Sequence, residues 1–201
     1  MFTSRAEYRI LLRQDDADLR LTPRGREIGL VDNARWNHFL NKKKMISEFD
    51  QLIQKTKLPV NSGVNDYLNL IGSKEISQST PMKDLLKRPG VSILTLIEFS
   101  DETKRFLQEL PQNMREEIAD EVEILIKYDG YITREKEMAE KTLRLEKVRI
   151  PDDMDYNSFQ QLSIESRQKL STIRPKTIGE ASRIPGVSPA DISILLLKLR
   201  N

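Results

Sequence analysis

The sequence contains no cysteine and only one histidine, His38, among its 201 residues. Disulfides, thiolate zinc sites and cysteine nucleophiles are therefore excluded, and neither a multi-histidine metal site nor a serine–histidine–aspartate triad is expected. Aromatic residues make up only 6% of the chain, which argues against a β-sandwich. The N-terminus lacks the features of a signal peptide, and no apolar run approaches the length of a membrane span. We therefore expect a mostly α-helical, cytoplasmic chain with little local equipment for catalysis.

Charged residues make up 32% of the chain, but 33 basic and 31 acidic residues leave a net charge of only +2. The two signs are segregated along the sequence. Residues 1–57 carry 12 basic and 8 acidic residues (net +4), residues 101–146 carry 8 and 13 (net −5), and residues 164–201 carry 7 and 3 (net +4). A basic end suits the phosphate backbone of a nucleic acid. Charged helices also need solvated faces, however, and composition alone favours that simpler explanation.

Residues 5–14 alternate apolar and charged side chains, which is typical of a β-strand. A helix is the competing interpretation, since Arg5, Arg9 and Arg13 recur every four residues. In a strand these arginines share one side and are free to face solvent. Such a strand has no partner elsewhere in the sequence, and a lone edge strand is a liability. We therefore expect the 201 residues to be a fragment, with residues 1–21 forming the junction to a preceding domain.

The remaining sequence predicts helices separated by short loops. Pro23 suits the first position of a short helix that ends near Gly29, and Asp32 caps the following helix. Gly130 interrupts a long apolar stripe and indicates a kink or a close backbone approach. Further helices are expected near 67–70 and over 82–87, 93–99, 114–147 and 163–170, with two more that begin after capping boxes at Thr177 and Ser188.

The predicted fold class is mostly α, a helical bundle followed by a small C-terminal helical subdomain. We expect the helical domain to cover residues 22–150 and the subdomain to cover residues 151–201. Pro151 and the three aspartates that follow it stop a helix and resist burial, so a hinge is expected over 150–156.

Two short segments carry possible binding chemistry. The turn IPGVS, over 184–188, resembles the turn of a helix-hairpin-helix element, which aims backbone N–H groups at a phosphate. Ser188 replaces its usual second glycine, so an ordinary αα-hairpin is the alternative. The segment KYDGYITR, over 127–134, combines two tyrosines with two cations, as proteins that stack single-stranded RNA bases do. A kink in helix packing explains the same residues equally well.

Motifs along the whole chain resemble those of the GidA/MnmG family, whose members modify the wobble uridine of certain tRNAs. These motifs are MFTSRAEYRILLRQDDADLRLT, LLKRPG, VEILIKYDGYITRE, IPDDMDY, LSIESRQKL and RPKTIGEASRIPGVSPADISILLLKL. The match is loose over 33–80 and close elsewhere. Glu135 departs from the pattern, since many members have glutamine there, which puts any role of that amide in doubt.

The resemblance implies that this chain is the C-terminal helical portion of a longer enzyme. In the family, a preceding Rossmann-like portion binds FAD, uses NADH and carries the catalytic residues. The helical portion contacts tRNA and docks a partner GTPase, usually called MnmE, and the complete enzyme is a homodimer. We therefore expect this chain to hold no catalytic, cofactor-binding or metal-binding residues.

On this interpretation three groups of residues are candidates for binding. The candidates for RNA binding are Arg5, Arg9, Arg13, Arg20, Lys127, Tyr128, Tyr131 and Arg134. The candidates for binding either RNA or the partner are Lys169, Arg174, Lys176 and Arg183. Leu197 lies off the apolar face of the last predicted helix and is the candidate for partner docking. The alternatives are a free-standing nucleic-acid-binding module of the helix-hairpin-helix type and a purely structural helical scaffold.

Overall fold

The computed structural model describes residues 8–199, except for the side chain of Ser62, and this part of the chain is mostly helical. The α-helices are α1 (Ala17–Glu27), α2 (Asn33–Lys55), α3 (Ser62–Leu70), α4 (Met82–Leu86), α5 (Ile93–Leu96), α6 (Asp101–Glu109), α7 (Arg115–Lys147), α8 (Ile164–Ile173), α9 (Ile178–Ser182) and α10 (Pro189–Leu199). Short 3₁₀-helices cover Arg9–Leu12, Ile97–Phe99, Gln112–Met114 and Tyr156–Ser158. Strands β1 (Lys57–Leu58) and β2 (Thr80–Pro81) pair antiparallel. The predicted helical class is confirmed.

The chain divides into two compact units, and the division falls between Thr133 and Arg134. The sequence predicts this boundary at 150/151, whereas in the structure residues 134–150 belong to the second unit. Ile150 is buried in the core of the second unit, and its N–H donates to the carbonyl of Lys176 at 2.9 Å. Tyr156, at the other end of the expected hinge, is buried in the same core.

The core of the first unit forms around α2 and the first half of α7. Asp32 caps α2 as predicted, because its carboxylate accepts the N–H of Arg35 at 2.7 Å. Apolar residues recur at helical spacing along α2, and Phe49 and Ile53 are fully buried. The ring of Phe49 stacks on Phe106 of α6 with centroids 5.3 Å apart. The first apolar stripe of α7 faces the same core through Ile118, Val122 and Ile126, with Leu125 packed against its edge.

The N-terminal strand prediction is wrong for residues 9–12, which form a 3₁₀-helix. The N–H of Leu11 donates to the carbonyl of Tyr8 at 2.9 Å. This local hydrogen bond replaces the one that a neighbouring strand would supply. Residues 5–7, and with them Arg5, lie outside the described residues. The arginines at 9 and 13 therefore do not form the extended row that a strand would give.

Two other predicted elements start elsewhere. Helix α1 begins at Ala17, so Pro23 lies in its interior rather than at its first position. It ends as predicted near Gly29, whose φ of +79° suits glycine, while the N–H of Leu30 reaches the carbonyl of Gly25 at 2.8 Å. Helix α3 is longer than expected because the side chain of Asn61 caps it.

Helix α6 was not predicted, although Ser100 caps it.

The second unit contains α8, α9, α10 and the chain that precedes them. Its core includes Leu170, Ile178 and Leu195, one from each helix, and all three are fully buried. The helix starts expected after Ser163, Thr177 and Ser188 are confirmed. Because these starts are capped by neighbouring side chains, they are determined locally.

Asp191 is the polar centre of the second unit, and it is only 3% exposed. One carboxylate oxygen accepts the N–H of Ser163 at 3.0 Å, at the start of α8. The other accepts the hydroxyl of Ser166 at 2.7 Å and both the N–H and the hydroxyl of Ser188, at 2.9 and 2.6 Å. Burial alone would raise the pKa of Asp191, but these donors outweigh it and lower the pKa to about 2. The carboxylate thereby joins the start of α8 to the start of α10.

Replacing this carboxylate with an amide tests its role. In Asp191→Asn the amide NH₂ faces the hydrogen-bond donors that the carboxylate accepts in the parent. We therefore expect the free energy of unfolding of the second unit to fall by on the order of 2–3 kcal/mol. Hydrogen exchange should show weaker protection throughout α8–α10 and unchanged protection in α2. The pKa of about 2 lies below the usual 3.8, so this stabilisation is present above pH 3.8 and disappears as the pH falls through 2. Unchanged protection of α8 and α10 in the variant would contradict this role.

Candidate nucleic-acid interface

Arg13, a predicted RNA-binding residue, is engaged within the first unit. Its guanidinium bonds to Asp15 at 2.9 Å and lies 3.5 Å from Asp16. It also lies 3.6 Å from the carboxylate of Glu121 on α7 and donates to the carbonyl of Ile10. These contacts fix the segment after the first 3₁₀-helix against α7. Arg13 would have to leave them to bind a phosphate.

A second ion-pair cluster lies beside the first. The amine of Lys42 on α2 is buried and contacts Asp18 and Glu117, each at 2.6 Å. Arg20 bonds to Asp16 at 2.8 Å, and its guanidinium also donates to the carbonyl of Arg13. These contacts join α1 to α2 and α7. Arg20, like Arg13, is thus paired within the fold.

Among the carboxyl groups near Arg13, that of Glu121 has a strongly raised pKa. Its side chain is 3% exposed. The pKa of Glu121 is raised to about 7, first by burial and then by the nearby carboxylate of Asp15, and Arg13 offsets this shift only in part. Sequence reasoning missed Glu121, because nothing in the local sequence distinguishes it from the other carboxylates of α7.

Arg9 is the one described N-terminal candidate that is exposed. Of the four N-terminal arginines, the structure therefore pairs Arg13 and Arg20 internally and leaves Arg9 at the surface. Arg5 lies outside the described residues.

Lys127 also has a structural role. Its amine donates to the carbonyl of Val91 and to Glu123, each at 2.6 Å. The other oxygen of Glu123 accepts the N–H of Ile93 at 2.7 Å, at the start of α5. Lys127 thus holds the turn before α5 against α7, and its charge is compensated.

The two tyrosines that follow are at the surface of α7. Tyr128 is 46% and Tyr131 56% exposed. Their rings lie 6.3 Å apart with an angle of 53° between their planes. Ile132, one residue further, is buried, so the helix turns one face inward here and presents the rings outward. Arg134 is exposed and is the first residue of the second unit.

The turn that resembles a helix-hairpin-helix uses its amides internally. The N–H of Val187 bonds to the carbonyl of Ile184, and the N–H of Ser188 bonds to Asp191. The Glu165 and Lys169 side chains lie within 2.2–2.7 Å of the position that a Cβ on Gly186 would occupy. The amine of Lys169 bonds to Glu165 at 2.6 Å and to the carbonyl of Pro185. Phosphate binding by this turn therefore has no support, and Lys169 closes the turn.

The other cations of the second unit differ in their partners. Arg183 pairs with Glu146. Arg174 lies at the end of α8 with a φ of +49°, and its guanidinium donates to the backbone carbonyl of Asp152 at 2.9 Å. Lys176 is exposed, and its backbone N–H donates to the carboxylate of Glu180 at 2.7 Å.

Arg149 is a cation that sequence reasoning missed. It pairs with Thr177 in an isolated antiparallel bridge, which places it beside Lys176 in a groove of about 620 Å³. No local signal predicts this neighbour, because the bridge joins distant segments. Asp152 and Glu180 also line the groove, so its charges nearly balance.

Leu197 lies where the sequence placed it, off the buried face of α10, and is 64% exposed. Ile192 and Leu195 on the same helix are buried. The described residues hold no group of three or more histidine, cysteine or carboxylate side chains able to bind a metal ion. No helix in this part of the chain has the length and hydrophobicity needed to cross a membrane.

Comparisons with known proteins match both units. Residues 33–136 match a family profile described as the tRNA modifying enzyme MnmG/GidA C-terminal helical domain. Residues 138–201 match one described as the MnmG/GidA C-terminal helical bundle. The two profiles meet close to the division between the compact units.

Similar proteins extend well beyond this chain. A curated relative from Porphyromonas gingivalis, named tRNA uridine 5-carboxymethylaminomethyl modification enzyme MnmG, is 49% identical and covers 98% of this chain and 31% of its own length. A relative of the same name from Caldicellulosiruptor saccharolyticus is 47% identical, covering 99% and 30%. The solved structure of Aquifex aeolicus GidA in its form II crystal has a TM-score of 0.61 at 32% identity, covering 98% of this chain and 29% of that one. The chain thus spans about a third of the length of these relatives.

The raised pKa of Glu121 predicts a pH dependence of stability. The folded pKa of about 7 exceeds the usual 4.5, so its ionisation lowers the free energy of unfolding as the pH rises through this window, by up to about 3 kcal/mol. Glu121→Gln removes this loss, so the variant should gain stability relative to the parent from pH 4.5 to pH 7. Urea titrations followed by the fluorescence of Trp36 measure it. Loss of the contact with Arg13 shifts the stability of the variant by the same amount at every pH. The prediction is refuted if the free energies of unfolding of variant and parent change in parallel between pH 4.5 and pH 7.

Proposed function

Because this chain belongs to the MnmG/GidA family of tRNA-modifying enzymes, whose C-terminal helical region it matches, we propose that it is the tRNA-contacting and partner-docking part of a longer cytoplasmic enzyme. That enzyme binds FAD, uses NADH and modifies C5 of the wobble uridine as a homodimer together with an MnmE-type GTPase. The sequence carries no phosphate-binding glycine loop, so we assign the binding of FAD and NADH to the rest of that enzyme.

The observation that carries the RNA proposal is the exposed pair Tyr128 and Tyr131. Two rings at a helix surface, 6.3 Å apart, leave a large apolar area in contact with water. Nucleobases of single-stranded RNA stack on such rings, and each stacked base contributes about 1–3 kcal/mol. A tRNA-modifying enzyme needs such contacts because its target nucleotide lies in a single-stranded loop.

The cations sort into two classes by their partners. Arg13, Arg20 and Lys127 are bonded within the fold, and we assign them to structure. Arg9 and Lys176 are exposed, and they are the cations we propose for contacts with RNA phosphates. Such contacts add affinity that falls as salt rises.

Substituting the rings tests the RNA proposal. In the full-length enzyme, Tyr128→Ala combined with Tyr131→Ala should weaken tRNA binding by about 1–3 kcal/mol, or roughly 5- to 100-fold in Kd, because the stacking surface is lost. Fluorescence anisotropy with a labelled substrate tRNA measures this. FAD content should not change.

Two control variants separate stacking from other effects. The double Phe variant keeps both rings and should retain parental affinity. Leu70→Ala removes another strongly exposed apolar side chain from the same unit and should also bind normally. Parental affinity in the double Ala variant would exclude the tyrosine pair from RNA binding.

The exposed side chain of Leu197 supports docking of the GTPase on the second unit. It is an isolated large apolar side chain on α10, whose other leucines and isoleucines lie against the core. Exposed apolar side chains on a helix are the usual anchors for a protein partner. The turn before α10 gives no comparable support for a free-standing helix-hairpin-helix function, since its amides are bonded internally.

A charged side chain at this position tests the docking proposal. Leu197→Asp in the full-length enzyme should weaken GTPase binding at least tenfold, as the loss of an interface anchor does. Surface plasmon resonance with the immobilised GTPase measures the affinity. Ile173→Asp, at a similarly exposed apolar side chain of α8, is the matched control and should bind normally. Equal GTPase affinity for Leu197→Asp and the parent enzyme would rule out Leu197 as an anchor.

A further inference from the structure

The first 23 described residues, 8–30, form an N-terminal arm that contains no buried residue. The first buried residue after this arm is Val31. The arm nevertheless carries large apolar side chains, and those of Leu21, Ile28 and Leu30 are 60%, 72% and 77% exposed. Single apolar residues are common at protein surfaces, so the placement of these three decides what they signify.

Helix α1, within this arm, turns opposite faces to the core and to solvent. Leu19 packs against the core of the first unit. At about 100° per residue, Leu21 lies about 160° and Ile28 about 180° around the helix from Leu19. Leu21 and Ile28 are thus only about 20° apart and form one apolar face, directed away from the core. Leu30 stays beside the last turn of α1, because its N–H bonds to the carbonyl of Gly25 at 2.8 Å.

The sequence of α1 is unfavourable for a helix that buries so little. Pro23 lies in its interior, where proline removes an N–H and clashes with the preceding turn, and Gly25 weakens the same segment. An isolated helix of 11 residues is marginal even without such residues, so its stability has to come from packing. The contact of Leu19 and the ion pair of Asp18 with Lys42 hold one side of α1. A packing partner on the apolar face would hold the other.

The family comparisons separate the arm from the helical domain that follows it. The profile of the C-terminal helical domain begins at residue 33, whereas the Porphyromonas gingivalis relative covers 98% of this chain. This chain matches 31% of that relative, and both matching profiles are described as C-terminal. Most of such an enzyme therefore precedes the arm. A part that is tethered directly to the arm meets it at a far higher effective concentration than a free partner does.

We propose that the apolar face of α1 docks the preceding part of the longer enzyme and forms an intramolecular domain interface. Arg24 and Glu27 lie between this face and the core, and they pair with each other at 3.2 Å, as suits the polar rim of an interface. The junction that the sequence places at residues 1–21 then extends to residue 30. This inference rests on the proposed function only in taking the chain as part of a longer enzyme, and it is independent of the RNA and GTPase contacts.

Hydroxyl-radical oxidation of the unmodified full-length enzyme, without tRNA or GTPase, tests the proposal directly. Leu70 and Ile173, which are 85% and 56% exposed, serve as references. Mass spectrometry should show Leu21 and Ile28 oxidised roughly 5- to 10-fold more slowly than the faster reference, because the core of an interface loses nearly all contact with water. Oxidation as fast as the reference would overturn the proposal. So would protection that requires addition of the GTPase, since the face would then belong to that partner.

A photo-crosslinker on the same face identifies what covers it. In the full-length enzyme, Ile28→p-benzoylphenylalanine should link, on irradiation, to a peptide of the preceding part, and the product should keep the mass of one subunit. A covalent dimer would instead show that a second copy covers the face. Absence of any link would show that nothing covers it. Either result overturns the proposal.

Two charges on the face test its energetic role. Leu21→Asp combined with Ile28→Asp in the full-length enzyme should speed hydrogen exchange over residues 17–30 roughly 10- to 100-fold, because burial of two aliphatic side chains is lost. Exchange in α2 should not change. Leu70→Asp is the matched control, since it charges another exposed apolar position of the first unit, and it should leave residues 17–30 unchanged. Equal acceleration in α2 would contradict the proposal, because the face would then stabilise the first unit itself.

The oxidation experiment also separates this inference from the proposed function. If the double Ala variant of the tyrosines loses tRNA affinity while Leu21 and Ile28 are oxidised as fast as the references, the RNA proposal survives and the interface proposal fails. If Leu21 and Ile28 are protected and the tyrosine variant binds tRNA normally, the interface proposal survives and the RNA proposal fails.

Discussion

Ion pairs with carboxylates of helix α7 hold two cations of the first unit, Arg13 and Lys42, which would have to leave these partners to bind a ligand. Glu121 is 3% exposed and Glu117 contacts the buried amine of Lys42. The buried amine of Lys42 contacts two carboxylates, those of Asp18 and Glu117, so removing either one leaves this charge partly uncompensated. Arg13 and Lys42 are therefore held in place by α7. Within the described part of the chain, two of the 12 basic residues of segment 1–57 thus pair with the acidic segment 101–146, and Arg20 pairs locally with Asp16.

In the second unit, several neutral hydrogen-bond donors stabilise one buried carboxylate, that of Asp191. Asp191 collects the hydroxyls of Ser166 and Ser188 and two backbone amides, so a buried charge is stabilised without a cation. One consequence is functional. The amide of Ser188, which a phosphate-binding turn would present to its ligand, is already bonded. The serine in place of a second glycine thus accompanies a turn built for packing.

Sequence reasoning succeeded where the determinant is local. The starts of α2 and α8–α10 follow from capping side chains within three residues, and the exposure of Leu197 follows from the helical period. The strand prediction for residues 9–12 is wrong, because alternating apolar and charged side chains are compatible with a 3₁₀-helix as well as with a strand. The pairing of Arg13 with Glu121 and the approach of Lys87 to Asp129 join distant segments. Neither contact is encoded in a sequence spacing, so the sequence alone does not show which of the candidate cations are paired within the fold.

Along α7, charged side chains that are paired within the fold give way to side chains that face solvent. Between Glu117 and Lys127, Glu117 contacts Lys42 and Lys127 contacts Glu123, each at 2.6 Å, and Glu121 is buried. Beyond Lys127 the helix presents Tyr128 and Tyr131 to solvent, and its carboxylate at Asp129 holds Lys87 only loosely. A fold stabilised by its buried pairs gains little from two exposed rings and one weak pair. Exposed rings that contribute little to folding are the side chains of α7 that a ligand is best placed to use.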